Sequence, residues 1–356
     1  MIKKKVLIFL QSEVGGAERV SVTIGKNLDN GAFDVGFYAV GPWECKIADF
    51  IPPTMFRDHL KYANAFKLLV NMCNTLRKEN PDVVFSSTMY ISTKLLLLQP
   101  FFPRVKFIVR SENNFFKFNR KQQMMMRFLY QRARVVIAQT DEMREELIDK
   151  AHLNKNKVFA IQNPQDFKSI DVMAQEPSPY NDDSKKYFVA SGRFAYAKGF
   201  DILVKAFALV VKRMANVELY IVGRNSGPNE GYYAEICNLI KELEMEEKIH
   251  CVGHKNNPYV YVKNADCFVL SSRNEGLPNV LIEALYLGTP AAATKCIPAI
   301  ARIVDEGKTG FLAESENVMA LSEAMLNAVK LGRIQSDYPV DTMPVFNKLF
   351  HTIVVE

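Results

Sequence analysis

The 356-residue sequence is poor in cysteine, histidine and tryptophan, with six, five and one of them. Its cysteines form no C-x-x-C pair and have no histidines at metal-ligand spacing, which argues against a zinc site and a disulfide scaffold and fits a reducing cytoplasm. It also lacks any run of about 18 apolar residues, the length that a membrane-spanning helix requires. The N-terminal run VLIFL is too short for a signal peptide and is predicted to be a strand.

Two nucleotide-binding motifs are missing as well. There is no G-x-x-x-x-G-K-[ST] sequence, which argues against a P-loop enzyme, and no G-x-G-x-x-G sequence, which disfavours an NAD-dependent dehydrogenase. Apolar residues make up 48% and charged residues 24% of the chain, values that are ordinary for a globular protein. At roughly 100 to 200 residues per domain, the length favours two domains.

Short apolar runs alternate with longer segments of helical periodicity in both halves of the chain. This alternation predicts α/β domains in which helices cover a parallel sheet on both faces. The pattern pauses at residues 168–186, which hold two prolines and clustered charge and are interpreted as a linker. We therefore expect an N-terminal domain over 1–167, a C-terminal domain over 187–335, and a tail over 336–356 that packs back on the N-terminal domain.

Two strand-to-helix junctions carry residues suited to phosphate. Gly15 and Gly16 precede the first helix, where a bare backbone and free amides favour an anion, although a simple tight turn explains them equally well. In the second half, Gly192, Arg193 and Lys198 lie between a strand and a helix that begins near Gly199. Two cations beside a helix N-terminus suit a diphosphate without any metal, while a solvated loop with incidental charges is the simpler alternative.

Residues 268–290 form a third junction with two carboxylates. Gly276 and Pro278 delay the helix, so Glu275 lies in the loop and Glu283 in the second helical turn. Carboxylates accept hydrogen bonds from paired hydroxyl groups, as in a ribose or a sugar, but isolated surface acids are the alternative for such a pair.

Four segments of the chain are motifs of one known family: GGAE at 15–18, IQNPQDF at 161–167, SGRFAYAKGFDILVKAF and RNEGLPNVLIEALYLGTPAAAT. Taken together, they resemble the retaining glycosyltransferases of family four. Glu275 and Glu283 match the E-x7-E signature of that family. The resemblance extends over nearly the whole chain and implies a GT-B fold, which consists of two Rossmann-like domains.

The resemblance also implies roles for individual residues. Arg193 and Lys198 would hold the diphosphate of a nucleotide sugar, most often a UDP-sugar, with Gly15, Gly16 and Gly192 close by. Glu283 would bind the ribose, Glu275 would lie near the donor sugar, and the amides of Asn279 and Val280 would assist. Neither a metal nor another cofactor is implied, and retention by front-face attack leaves no role for a protein base.

The sequence departs from the family in the N-terminal half. Where many relatives carry a histidine near the donor sugar, FIVRSENNFF offers Glu112, Asn113 and Asn114, which we interpret as candidate contacts to the acceptor or sugar.

A basic stretch at residues 104–134 contains nine Lys and Arg side chains and one acid, Glu112. Its own net positive charge is larger than the net charge of the whole chain, which is +6. Its aromatic residues allow nucleic-acid binding, but no RNA- or DNA-binding signature accompanies them. A basic amphipathic surface on anionic lipid is the preferred interpretation, and an ordinary helix with a solvated cationic face is the alternative.

Taken together, these features predict a metal-independent, retaining hexosyltransferase in the cytoplasm, held peripherally on the inner face of a bacterial membrane. Its acceptor would be a lipid-linked or other saccharide in the synthesis of a surface polysaccharide, such as lipopolysaccharide, or of a glycoconjugate. A GT-B sugar-nucleotide epimerase or hydrolase is the alternative.

Overall fold

The computed structural model describes residues 2–42, 44–224, 230–338 and 341–355. The chain divides into two compact units. The first comprises residues 1–165 and 341–356, and the second comprises residues 166–340. Each unit is built on one parallel sheet.

The first unit contains a sheet of seven described strands in the order β3-β2-β1-β4-β5-β6-β7, all parallel to their neighbours. Its elements up to residue 160 are β1 (Lys4–Gln11), α1 (Gly16–Asn27), β2 (Phe33–Val40), β3 (Phe56–Leu60), α2 (Ala65–Glu79), β4 (Val83–Ser86), α3 (Met89–Leu98), β5 (Lys106–Arg110), α4 (Arg120–Leu129), β6 (Val135–Ala138), α5 (Asp141–Asp149) and β7 (Val158–Ala160).

The second unit repeats the plan with six described strands in the order β10-β9-β8-β11-β12-β13, again parallel. Its elements are α6 (Phe167–Met173), β8 (Lys186–Ser191), α7 (Phe200–Val211), β9 (Val217–Val222), α8 (Glu230–Glu242), β10 (Ile249–Gly253), α9 (Tyr259–Asn264), β11 (Cys267–Leu270), α10 (Asn279–Tyr286), β12 (Ala291–Thr294), α11 (Ile300–Ile303), β13 (Gly310–Ala313) and α12 (Val318–Ala328).

Central strands such as β1, β4 and β6 are buried on both faces, which explains why they are apolar over most of their length. In β1, Leu7 and Phe9 join the core under α2 to α5, whereas Val6, Ile8 and Leu10 join the core under α1. Successive side chains of a strand point to opposite faces, so one apolar run serves two cores. This doubly covered arrangement is the α/β fold that the sequence pattern predicts.

The C-terminal tail forms a last helix, α13 (Met343–Val355), that belongs to the first unit. Met343, Phe346, Phe350 and Ile353 recur at intervals of three and four residues and are buried in the core under α1. The Thr342 hydroxyl also donates to the Gln162 carbonyl at 3.1 Å. Helical periodicity therefore places one apolar stripe of the tail against the first sheet.

Residues 168–186, which are predicted to be the linker, make contacts with the second unit. Helix α6 already covers 168–173, and the Asn257 amide donates to the Met173 carbonyl at 2.7 Å. Further on, the ring of Tyr180 stacks on Tyr187 with centroids 4.1 Å apart. Aromatic side chains within a polar segment thus attach it to the second unit, and that unit extends to residue 340.

Candidate functional site

The loops that follow β8 and β11 meet at the carboxyl ends of neighbouring strands, and we call residues 191–199 and 271–279 the second edge. Gly199 has a φ of +62°, and a Cβ there would lie 2.2 Å from the Ser271 carbonyl oxygen. The Ser271 hydroxyl donates to the Lys198 carbonyl at 2.8 Å. A glycine is required here because only a bare backbone permits this approach with a left-handed conformation.

Lys198 and Glu275 form an ion pair at the second edge, with Nζ 2.7 Å from Oε1. The Ser272 hydroxyl donates to the same carboxylate oxygen at 2.6 Å. Glu275 is buried, whereas about a quarter of the Lys198 side chain is exposed. The fold therefore brings together two candidate residues that are 77 positions apart in the sequence.

Arg273 joins the same two loops through a second ion pair. Its Nη1 and Nη2 donate to the two carboxylate oxygens of Asp201, each at 2.7 Å, and its guanidinium lies 3.9 Å from the centroid of the Tyr196 ring. Hydrogen bonds from Arg273 and Tyr232 lower the pKa of Asp201 to about 2 against the opposing effect of burial. Sequence reasoning missed this fork because its two members are distant in the chain.

The other candidate residues of the second unit lie at or near the second edge. Helix α10 begins at Asn279, directly after Pro278, and its first amides, including that of Val280, lie at its N-terminus. Glu283 is half-buried in the second turn. Gly192 lies against the Lys198 side chain, and Arg193 is exposed with no ion pair to any described residue.

The first unit has a corresponding edge, and the term first edge denotes residues 11–18, 86–88, 110–114, 139–140 and 163, which follow or end its strands. Helix α1 begins at Gly16, after Gly15 in extended conformation. A Cβ on Gly15 would lie 2.4 Å from the Glu18 carboxylate, so Gly15 leaves room for this buried acid. Gly15 thus allows a carboxylate to fold back over the helix start, whereas a Cβ on Gly16 would meet no atom within 4 Å.

Arg110 ends β5 and is almost completely buried. Its Nη2 donates to the Asn163 side-chain oxygen, the Asn163 amide donates to Gln139 at 3.0 Å, and the Gln139 amide donates to the Ser111 carbonyl at 3.1 Å. Burial lowers the pKa of Arg110 to about 10, while the carboxylates of Glu112 and Glu18 act in the opposite direction. The cation is therefore held inside a polar network contributed by β5, β6 and the segment after β7.

The three predicted acceptor contacts lie at the first edge, and all three are half-buried. Asn114 donates from its amide to Glu146 at 3.2 Å, and Asn113 accepts from the Ser111 hydroxyl through its backbone carbonyl at 3.0 Å. Glu112 is half-buried beside them. Arg110 precedes these residues in the same sequence segment, where a charge at the end of an apolar strand is the only signal of its role.

Two family models match the chain, "Glycosyltransferase Family 4" over residues 14–168 and "Glycosyl transferases group 1" over residues 171–338. The chain is a GT-B glycosyltransferase of the family 4 type. Its two Rossmann-like units correspond to the two matched segments, and the enzyme class predicted from the sequence is confirmed.

Named relatives and solved structures agree with this assignment. This glycosyltransferase is 27% identical to an uncharacterized glycosyltransferase of Haemophilus influenzae, over 88% of this chain and 87% of the relative. It is 25% identical to an N-acetylgalactosamine-N,N'-diacetylbacillosaminyl-diphospho-undecaprenol 4-alpha-N-acetylgalactosaminyltransferase of Campylobacter jejuni, over 94% and 93% of the two chains. The fold matches Anabaena HepE, solved with UDP and glucose, with a TM-score of 0.79, 17% identity and 99% coverage of both chains.

The basic stretch of the glycosyltransferase, residues 104–134, comprises β5, a turn and α4. Met126, Leu129 and Tyr130 are buried, as expected for an ordinary amphipathic helix. The opposite side exposes the side chains of Phe116, Lys117, Arg120, Lys121, Met124, Arg127 and Phe128. Apolar and cationic groups therefore share one solvent-facing surface, which we call the α4 surface.

Within the described ranges, no three His, Cys, Asp or Glu side chains are grouped closely enough to hold a metal ion. No helix among the described residues combines the length and the apolar character needed to cross a bilayer.

Proposed function

We propose that this glycosyltransferase moves a hexose or N-acetylhexosamine from a UDP-sugar to a lipid-linked or other saccharide acceptor, with retention of configuration and without a metal. The observation that carries the proposal is the Lys198–Glu275 pair at 2.7 Å, in which the glutamate is buried and the lysine side chain is partly exposed. It joins a cation suited to phosphate with a carboxylate suited to sugar hydroxyls.

In the proposed mechanism, Lys198 and Arg193 bind the donor diphosphate. Negative charge grows on this group as its bond to the sugar breaks, so cations held in place beforehand stabilise the transition state more than the ground state. The exposed Arg193 guanidinium offers two parallel donors to phosphate, and the N-terminus of α10 adds backbone amides.

Glu275 and Glu283 bind hydroxyl groups in this proposal. Glu275, held by Lys198 and Ser272, accepts from the donor sugar, and Glu283 accepts from the ribose. The acceptor hydroxyl attacks the anomeric carbon on the face that the diphosphate leaves, and its proton passes to the leaving phosphate oxygen. One C–O bond breaks and one forms on the same face, so the configuration is retained.

The substrate classes in the proposal are supported by named proteins. HepE was solved with UDP, and the Campylobacter relative is named for transfer of N-acetylgalactosamine to a diphospho-undecaprenol acceptor. An acceptor of that kind resides in a membrane. We therefore propose that the α4 surface holds the enzyme peripherally on the inner face of the membrane, with its cations at lipid phosphates and Phe116 and Phe128 at the interface.

The first experiment incubates the purified protein with radiolabelled UDP- and GDP-sugars and membrane extract. We expect label from a UDP-sugar to enter a lipid or oligosaccharide fraction, unaffected by EDTA, and the NMR anomeric configuration of the product to match the donor. Free or epimerised sugar without a transfer product would instead indicate the hydrolase or epimerase. Loss of transfer in EDTA would refute metal independence.

Nucleotide binding tests the role of Glu283. Glu283→Ala is expected to weaken UDP binding roughly 10- to 100-fold, since hydrogen bonds to a charged group contribute about 1.5–3 kcal/mol. Glu323→Ala, which removes a half-exposed acid elsewhere in the second unit, is the matched control and should leave binding unchanged. Calorimetric titration with UDP measures both, and equal affinities for the two variants would exclude Glu283 from the nucleotide site.

Vesicle sedimentation tests the α4 surface. Phe128→Ser combined with Lys121→Glu is expected to reduce binding to vesicles that contain phosphatidylglycerol at least fivefold and to leave UDP binding intact. Met319→Ser, at an exposed apolar position of the second unit, is the control. Undiminished sedimentation of the double variant would rule out this surface as the membrane contact.

A further inference from the structure

Arg273 contacts three segments at the carboxyl end of the second sheet. Besides its two bonds to Asp201 in the first turn of α7, its Nη1 donates to the Tyr196 carbonyl at 3.0 Å and its Nε donates to Glu316 at 3.1 Å. Glu316 follows β13, whereas Tyr196 follows β8 and Arg273 itself follows β11. One largely buried side chain therefore links the segments after three different strands.

The main chain of Arg273 holds the segment after β8 from a second direction. Its amide donates to the Ala197 carbonyl at 2.8 Å, next to the Tyr196 carbonyl that accepts from the guanidinium. Residues 196–198 form a short 3-10 turn. Two consecutive carbonyl groups directly before Lys198 are thus both bound by one residue from the neighbouring loop.

The guanidinium of Arg273 has few donors left for a ligand. A guanidinium carries five N–H groups, and the bonds to Glu316, Tyr196 and the two oxygens of Asp201 use four of them. The Tyr196 ring also covers one face of the cation, with its centroid at 3.9 Å. This arrangement argues against direct binding of a phosphate by Arg273, and it directs the residue toward the protein's own loops.

Lys198 is the candidate site residue that gains most from these contacts. Its carbonyl accepts from the Ser271 hydroxyl and its ammonium pairs with Glu275, so its two ends meet residues on either side of Arg273 in the sequence. A lysine side chain is long and flexible, and its charge has a defined location only when the backbone that carries it is fixed. Arg273 supplies that fixed backbone without touching the ammonium group.

We propose that Arg273 is a positioning residue of the transfer reaction, which acts through Lys198 and does not contact the substrate. It fixes the turn before Lys198, so that the ammonium group stays where charge develops on the leaving diphosphate. This proposal rests on the proposed function, in which Lys198 stabilises that charge. Misplacement of such a group by about 1 Å can cost about 100-fold in rate, so the loss of Arg273 should appear in turnover.

The test is a double-mutant cycle in the transfer assay. Arg273→Met is expected to lower kcat about 10- to 50-fold at a temperature well below its melting temperature, and to change donor KM less than about threefold, because the displaced group acts mainly in the transition state. In a Lys198→Ala background, the same substitution should lower kcat less than about twofold, since the group that Arg273 positions is already absent.

Two further variants serve as controls. Arg273→Lys keeps the charge but replaces the two-pronged donor by a single ammonium, so it should recover only part of the lost kcat. Arg213→Met removes an arginine from an exposed ion pair with Glu323 in the same unit and should leave kcat unchanged. An unchanged kcat in Arg273→Met, or an equal loss of kcat with and without Lys198, would overturn the proposal.

Hydrogen exchange separates this proposal from the proposed function. The amides of Lys198 and Gly199 donate within the turn, at 2.8 and 3.1 Å. Mass spectrometry should show that they exchange at least about tenfold faster in Arg273→Met than in the unsubstituted protein or in Arg213→Met. Unchanged exchange would overturn the positioning role. Faster exchange in a protein that transfers no sugar would refute the proposed function and leave the fixation of the turn by Arg273 standing.

Discussion

The carboxyl ends of the two sheets have similar topology, but charged side chains of the second edge are paired with each other and those of the first edge are only partly hydrogen-bonded. At the second edge, Lys198 pairs with Glu275 and Arg273 forms a fork with Asp201. At the first edge, Arg110 is buried with two guanidinium nitrogens that have no partner. The same strand order and helix placement therefore support one edge that is satisfied internally and one whose hydrogen bonds remain incomplete.

The difference teaches how each edge can act on a ligand. Charges that are already oriented by neighbours need no reorganisation when charge develops on a substrate, which favours catalysis. Unsatisfied donors and acceptors gain most from a ligand that completes them, which favours selective binding. The proposed function accordingly assigns the chemistry on the donor to the second edge.

The largest expected effect comes from removing the cation of the second edge, Lys198. Lys198→Ala should lower kcat about 100- to 1,000-fold, the usual cost of removing one group that stabilises developing negative charge, with a smaller change in donor KM. Lys295→Ala, which removes a lysine paired with Glu314 in the same unit, is the control. Steady-state kinetics measure kcat and donor KM for both variants. Equal kcat values would exclude Lys198 from the reaction.

The next largest effect is expected when the contact between the loops after β8 and β11 is disrupted. Gly199→Ala should destabilise the protein more than Gly253→Ala, although both residues have positive φ, because only Gly199 faces a carbonyl oxygen at 2.2 Å. Gly253→Ala should cost about 1–2 kcal/mol from backbone strain alone. Urea unfolding measures both, and equal losses would show that the loops can separate without cost.

A third variant removes the fork that joins these loops. Arg273→Met should lower the free energy of unfolding by roughly 1–3 kcal/mol at neutral pH, because it leaves Asp201 without its main partner. The pKa of Asp201 is about 2, below its ordinary 3.8, so its stabilising contribution is present above pH 4 and is lost as the pH falls toward 2.

The acid dependence provides the check on this fork. Between pH 4 and pH 2 the unsubstituted protein should lose about 2 kcal/mol through Asp201, and Arg273→Met should lose less because the pKa of Asp201 returns toward its ordinary value. Unfolding curves at several pH values test this. An identical acid slope for the two proteins would contradict the role of the pair.

The smallest effect is expected at the first edge, where Arg110 is replaced by Met as Arg273 was at the second edge. Arg110→Met should change the free energy of unfolding less than Arg273→Met does, because two of the buried nitrogens of Arg110 have no bond to lose. The two variants are compared in one series of urea unfolding curves. A larger loss for Arg110→Met would mean that the first edge is internally stabilised after all, and the contrast between the edges would fail.

Much of the fold could be predicted because it depends on local pattern. Unbroken apolar strands between helical periods indicated two covered parallel sheets, and Gly276 with Pro278 placed the start of α10 within one residue. Residues 168–186 were less informative, because composition marks this segment as polar while the Tyr180 ring stacks on Tyr187 of the second unit.

The candidate site was predicted unevenly for the same reason. Lys198, Glu275 and Glu283 lie in motifs whose glycines and prolines mark the loops, so their elements were found. Arg273 was not, because an arginine in a loop is common. Its importance depends on Asp201, which lies 72 residues away in the sequence.

The sequence by itself determined the alternation of strands and helices, the class of enzyme and the candidate loops, since these follow from periodicity and from motifs that are contiguous in the chain. Only the tertiary structure decided which distant residues become neighbours. It pairs Lys198 with Glu275, joins their loops through Arg273, and buries Arg110 with two nitrogen donors that have no partner. Hydrogen bonds and burial depend on which distant segments become neighbours, and no local pattern encodes that.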